Sequence, residues 1–431
     1  MPTNESVSSP PGVTEQTRRR GMLFLGLAVA CVSFALMLQM GLNDNFLVND
    51  IGIVGQQKGQ IESARESCGI IALAVLALLS GFAEPLVGTA MLVLVAGGLA
   101  SYAFVPRNYL CVLGLSMVWS QGLHVWMPLP NSMALGLAEP GKAGYRLGQL
   151  SAAGAVGSFV ALGLALGACF FGQYVMKWGQ NFVPAIRPLY VVAGAVAILG
   201  ALACLAIPRS IKTPGPRWVF RRKYGLYYLM CLLEGWRKQV FLAFAGFLLV
   251  KQFDATLPTM LFLWSITQAV GYFSSPIVGR IIDRVGERRV LLFYYITMIC
   301  IFVGYAMVPL WGSSHPWLKY VLYTLFVMDG SFFVLAMSLT TYVNKIAPQS
   351  EHTATLSMGV AMNHISAVLM PLLGGFLWTF GSTWTFLLGG VAGIGSILIA
   401  LRLPRHEPAS PGGAGHNTSP AHASVLAGDE V

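Results

Sequence analysis

Gly279-Arg280-Ile281-Ile282-Asp283-Arg284-Val285-Gly286-Glu287-Arg288-Arg289 places four arginines and two acids within eleven residues. On either side the chain turns apolar for some twenty residues, roughly 256–279 before it and 290–311 after it. A twenty-residue apolar run at helical rise is about 30 Å long, the thickness of a bilayer's hydrocarbon layer. The stretch therefore reads as a short basic turn between two membrane-crossing helices.

Working outward, ten more apolar stretches appear, at about 21–42, 62–83, 85–105, 109–130, 144–175, 188–207, 226–250, 318–343, 354–378 and 384–403. Of 431 residues only 10% are charged, 55% are hydrophobic and the mean hydropathy is +0.67. A water-soluble core cannot hide that much apolar surface, so the composition excludes a disordered chain, a disulfide scaffold and an ordinary soluble enzyme. The expected fold is all-α, with twelve transmembrane helices. The first stretch is too long for the apolar core of a signal peptide and is read as a retained helix. Glu62, Arg65 and Glu66 crowd the start of the second, which is read as a helix projecting beyond the membrane.

An even number of spans leaves both termini on one side. Eighteen lysines and arginines fall on that side and seven on the other (Lys58, Arg65, Arg107, Lys177, Arg187, Lys251, Lys319). Basic residues collect on the cytoplasmic face, so both termini are expected there, in a cell (inner) membrane. The net charge of +10 is thus topology information, and no nucleic-acid partner is expected. The cluster from Arg209 to Lys223 is placed to touch anionic lipid headgroups. All seven cysteines lie in apolar stretches without a CxxC pair and read as packing residues.

The polar segment 208–225 divides the chain into two sets of six helices, 21–207 and 226–403, flanked by tails 1–20 and 404–431. The second tail, rich in Pro, Gly, Ser and Ala, reads as disordered. Gln121-Gly122 and Asp329-Gly330 stand at matching places in the two halves, and Pro140 and Pro348 keep the same offset. Two six-helix halves joined by a basic linker make the layout of a transporter that rocks about a central site.

Here the chain resembles the major facilitator superfamily over nearly its whole length, from Gly21 to about Leu403. The stretch 279–289 is similar to that family's GxxxD(R/K)xGRR loop, with Glu287 where an arginine is usual. The corresponding place between the second and third helices, Gly81-Phe82-Ala83-Glu84-Pro85-Leu86-Val87-Gly88, keeps a glycine and an acid but no base. The resemblance implies a cytoplasmic gate built from Gly279, Asp283, Arg284, Gly286, Arg288 and Arg289. Gly279 would allow close helix approach, and Asp283 would pair with arginines or cap a helix end. The family's proton-coupled drug exporters carry an arginine three residues before a Gln-Gly pair in the fourth helix. This chain has Gln121-Gly122 but Val118 at the arginine position, and no proline between Gly148 and Gly167. Its Pro371-Leu372-Leu373-Gly374-Gly375 run lies in the other half.

A charge deep in the membrane costs about 2.5 kcal/mol or more and calls for a reason. By the expected boundaries only Glu234, Arg237, Lys238 and Asp329 lie near the middle of a span. Glu234, Arg237 and Lys238 stand at i, i+3 and i+4, so the acid faces both bases. In the family the first, fourth, seventh and tenth helices line the cavity. The resemblance thus implies that these four meet there with Gln121 and His124 of the fourth helix and Asn363 and His364 of the eleventh. Arg237 would hold a carboxylate or phosphate through its planar fork, and Asp329 or Glu234 would carry a proton; the alternative is that Glu234 with Arg237 or Lys238 is a permanent ion pair tying helices together. Asn43-Asp44-Asn45 reads as the outer end of the first helix. Glycines 148, 154, 157, 163 and 167 read as close helix packing.

There is no GxxxxGK[ST] sequence, no HExxH, no histidine pair one turn apart and no nucleophile with a base. Neither an enzyme nor a cofactor or metal is expected. The expected function is secondary active transport of a small, anionic or zwitterionic solute by a monomer, driven by protons or another coupling ion. The alternatives are a drug or metabolite efflux antiporter and a transporter-shaped sensor or assembly factor.

Overall fold

The computed structural model describes residues 14–139, 142–179, 182–209, 220–311 and 315–403. Residues 1–13, 404–431, the middle of the linker and Pro140 lie outside these, while residues 15–20 of the expected first tail are helical and open α1. Among the described residues the chain is helical, without a strand, and runs through twelve long helical segments. They are α1 (Glu15–Ile51), α2 (Gly55–Leu78), α3 (Glu84–Ser101), α4 (Tyr109–Leu137), α5 (Ala143–Tyr174) and α6 (Val183–Leu205). The second half has α7 (225–253), α8 (Leu257–Val285), α9 (Glu287–Trp311), α10 (Leu318–Ile346), α11 (Gln349–Trp378) and α12 (Ser382–Ala400). Ten are long and apolar enough to cross a membrane by composition alone; α2 and α7, which carry the buried charges, are the other two.

Local chemistry sets the ends. Asn108 caps α4, its side-chain oxygen accepting from the Leu110 and Cys111 amides at 2.8 and 3.4 Å. Pro85 and Pro258 occupy first-turn positions, where no amide hydrogen is needed. Gly286 ends α8 at φ 82°, a backbone angle that an L side chain tolerates poorly. α1 and α7, the first helices of the two halves, each contain a π-helical turn, at Phe46–Ile51 and Phe241–Ala245.

Two boundaries move in a way that matters for the chemistry. α1 does not end near Leu42 but continues through Asn43-Asp44-Asn45 to Ile51, and Asp44 is buried. α2 starts at Gly55, not Glu62, so Lys58, Glu62, Arg65 and Glu66 fall within the helix. They are largely buried in the bundle and do not project from it. Lys58 and Arg65 thus leave the count of outer-side bases, which widens the charge asymmetry.

The halves meet most tightly at the end opposite the linker, where bare backbone makes the contact. A Cβ on Gly59 of α2 would fall 2.8 Å from Gly375 Cα and nearer still to the Pro371 carbonyl oxygen, both on α11. Gly55 lies against Trp378, and Gly246 of α7 against the Asp44 carboxylate. Asn45 Nδ2 donates to the Ala255 carbonyl at 3.0 Å, tying α1 to the turn before α8. The Pro371–Gly375 run thus serves the seam between halves.

The glycines of α5 divide. Gly157 presses on the Ala30 backbone and Gly154 on Ser33, while Gly148, Gly163 and Gly167 meet nothing within 4 Å. Five cysteines are buried, as packing residues are, but Cys111 and Cys300 face outward.

Candidate functional site

The charges buried in the second half form one closed cluster. Arg237 on α7 donates to Glu234, one turn back, at 2.8 Å from Nη2, and to Asp329 of α10 at 3.1 Å from Nη1. Tyr294 of α9 donates to Glu234 Oε1 at 2.9 Å, and the guanidinium lies over the Tyr294 and Phe333 rings. Arg237, Glu234 and Asp329 are 1%, 4% and 0% exposed. This corrects the expected cavity site: all three face dry contacts among α7, α9 and α10. The Arg237 fork is already filled by two carboxylates of its own half. The i, i+3 spacing correctly pairs Glu234 with Arg237, but no direct ion pair joins Glu234 to Lys238 among the described residues.

Lys238 points elsewhere, as one residue's rotation about a helix requires. It remains partly exposed, and its electrostatic neighbours are Glu66 of the first half and Glu234. Gln121, Asn363 and His364 are also partly exposed. Asn363 Nδ2 donates to the Cys231 carbonyl at 3.4 Å, fixing α11 on α7. The Gln121 amide nitrogen is buried without a hydrogen-bond partner.

A second chain of charges lies in the first half. Lys58 Nζ donates to Asp44 at 2.9 Å and to Glu62 at 2.8 Å. Arg65 reaches Glu62 Oε2 at 2.7 Å and Glu66 Oε1 at 2.9 Å, with Trp119 beneath its guanidinium. The other oxygen of Glu66 lies 3.9 Å from His124 Nε2 on α4 and 3.5 Å from His364 Nδ1 on α11. The two imidazole rings are 5.2 Å apart, nearly edge to face, and Gly69 leaves room for both. Glu66 therefore bridges a histidine of its own half to a histidine of the other.

Sequence reasoning found both histidines but missed Asp44, Lys58, Glu62, Arg65 and Glu66. The signal was present: 58, 62, 65 and 66 recur at four- and three-residue steps, so the four share one face of a helix. It was hidden by starting that helix at Glu62.

The gate candidates behave unevenly. Asp283, Arg284 and Arg289 are exposed, and no ion pair of Asp283 occurs among the described residues. Gly279 has open space where a Cβ would go, so it makes no close helix approach in this conformation. Glu287, at the position where the family has an arginine, carries the contact instead: Lys345 of α10 donates to it at 2.6 Å. Arg288 donates to the Leu403 carbonyl at 3.0 Å. At the same end Tyr224, then Lys223, hold the Glu351 carboxylate below its usual range, at 2.6 and 3.0 Å. Glu84 is buried and accepts from Ser132 at 2.6 Å.

These helices define a class: an all-helical protein with the major facilitator fold, ten of whose segments are long and apolar enough to cross a membrane. The family model described as "Sugar (and other) transporter" matches residues 241–404. Among solved structures, the nucleoside transporter NupG superposes with a TM-score of 0.70 at 14% identity, covering 88% of this chain and 98% of that one. A D-xylose–proton symporter gives 0.68 at 13% identity, covering 91% and 99%. A bacterial homologue of the human lysosomal transporter Spinster, inward-facing and occupied, gives 0.68 at 13%, covering 92% and 100%. No curated protein matches the chain by sequence. At such identities the likeness is one of fold.

Proposed function

We propose that this protein is a proton-coupled secondary transporter of a small anionic or zwitterionic solute, working as a monomer by alternating access in the cell membrane. The observation that carries this reading is Glu66, whose carboxylate contacts a titratable ring in each half. Protonation at that point changes what holds the halves together, which is how a proton gradient drives a rocking motion. Lys238, with no direct ion pair among the described residues and in the field of Glu66, is the cation for a negative group on the solute. Arg237, already engaged by two acids, is assigned a structural role. The neighbouring folds of a D-xylose–proton symporter and of POT peptide transporters support solute transport with coupling. With both termini cytoplasmic by charge asymmetry, the tight end is external in this reading.

The test is uptake into proteoliposomes under an imposed inward-acid gradient, over small organic acids, sugars, amino acids and peptides. Glu66→Gln is expected to lower gradient-driven uptake at least tenfold and to spare counterflow exchange. Equal loss of both would place Glu66 in folding or solute binding and end the coupling assignment.

A further inference from the structure

Glu66 Oε2, His124 Nε2 and His364 Nδ1 all lie within 4.8 Å of one another. Their own hydrogen bonds fix what they present to each other. His124 Nδ1 is 2.9 Å from the Ser120 carbonyl oxygen and 3.0 Å from Ser120 Oγ, whose own hydrogen goes to the Arg65 carbonyl at 2.7 Å, so with two acceptors facing it that nitrogen carries the ring hydrogen. Nε2 then turns its lone pair toward the Glu66 carboxylate. Glu66 Oε1 is occupied by Arg65 at 2.9 Å, leaving Oε2 for the histidines. His364 Nδ1 is buried and makes no hydrogen bond of ordinary geometry. Acceptor atoms turned toward one another repel unless a proton or a metal cation lies among them.

We propose that Glu66, His124 and His364 form a binding site for one divalent transition-metal ion of the zinc class, with ligands from both halves of the transporter. Two imidazoles and one carboxylate are a set that zinc accepts, with a fourth position for water. Tetrahedral bonds of about 2.1 Å put ligand atoms about 3.4 Å apart. The Glu66 contacts, 3.5 and 3.9 Å, are close to this, and the histidine nitrogens need to approach by at most about 1.5 Å. The Ser120 carbonyl on His124 Nδ1 supplies the outer hydrogen bond that orients a metal-bound imidazole. Magnesium and calcium, which take six or more oxygens, do not suit this set. Lys238 opposes any cation here, so its charge limits the affinity. Because α2 and α4 belong to one half and α11 to the other, a bound ion pins the halves at their midplane and stops the rocking motion.

The proposal rests on the meeting of three ligands, not on proton coupling, and its first readout needs no transport. Purified full-length protein competes for zinc with a chromogenic indicator at pH 7.5. One ion per chain is expected at micromolar or tighter affinity, with magnesium without effect. His124→Ala and His364→Ala are each expected to weaken binding at least about tenfold, and Lys238→Met to strengthen it. A His406→Ala, His416→Ala, His422→Ala triple variant, which removes the tail histidines, is expected to bind as the native chain does. Melting temperature should rise with zinc in the native chain and not in His364→Ala, which also reports whether the variant folds. Unchanged affinity in both histidine variants, or loss of binding with the tail histidines alone, would overturn the site. Zinc binding without gradient-driven uptake would keep the site and remove the coupling reading.

Discussion

The two halves of this protein bury their charges in opposite ways. In the second half Arg237 is shared by Glu234 and Asp329, with Tyr294 on one of them, and the cluster ends there. In the first half a chain runs from Asp44 through Lys58, Glu62 and Arg65 to Glu66, and ends on His364 of the other half. A closed cluster holds helices in one arrangement, because removing Arg237 leaves two buried carboxylates uncompensated. An open-ended chain with titratable groups at its far end has a protonation state that depends on how the halves meet. Glu66 at 5% exposure is as dry as Glu234 at 4%, so what separates the two networks is that one ends on the other half and one does not.

The largest expected effect comes from opening the closed cluster. Arg237→Met leaves two carboxylates buried together and should cost about 3–5 kcal/mol of stability, read as a large drop in melting temperature in detergent. Adding Glu234→Gln and Asp329→Asn should restore most of that loss. A small drop in the single variant would mean that water reaches the cluster and that the contrast between halves is wrong. Lys58→Met should cost less, about 3 kcal/mol or below, because Glu62 keeps Arg65 and only Asp44 is stranded. If it cost more than Arg237→Met, the first half would be the more rigid of the two.

Gly59→Ala probes the seam where the halves touch. Its methyl group meets the α11 backbone and not a side chain that can rotate away, so α2 must separate from α11. Spin labels at Val54 and Phe380, both exposed, should then report a longer distance at that end and a smaller closed population. An unchanged distance would show that the seam has slack. The smallest effect is expected at Glu139, outside both networks. Arg146 bonds it at 2.6 Å and holds its carboxyl down to about 2. A lowered acid contributes stability above its unfolded pKa, near 4.3, and loses it only as pH falls through about 2. The stability contribution of the pair should therefore not change between pH 8 and pH 6. Glu139→Gln should leave uptake unchanged and the melting temperature close to native, as an exposed pair allows.

Much of the fold was readable in the sequence because lipid simplifies the code: apolar runs of sufficient length become helices, and basic turns orient them. The i, i+3 pairing of Glu234 with Arg237 was readable for the same reason, since helical spacing fixes neighbours on one face. What failed was the inference from depth to cavity. Depth along a helix says nothing about rotation about it, and Arg237 and Lys238, adjacent in sequence, point into different surroundings. The first-half network escaped because polar residues at 43–45 and 62–66 were read as helix ends. Apolarity marks where lipid begins, not where a helix stops inside a bundle. The meeting of His124, His364 and Glu66 is a tertiary fact that no local spacing encodes.

The bare-backbone meeting of Gly59 with Pro371 and Gly375 has a further consequence. A joint without side chains has no rotamers to absorb error, so it works like a machined bearing whose tolerance is one carbon atom. If the halves rock as proposed, drift at either position changes how long each arrangement lasts.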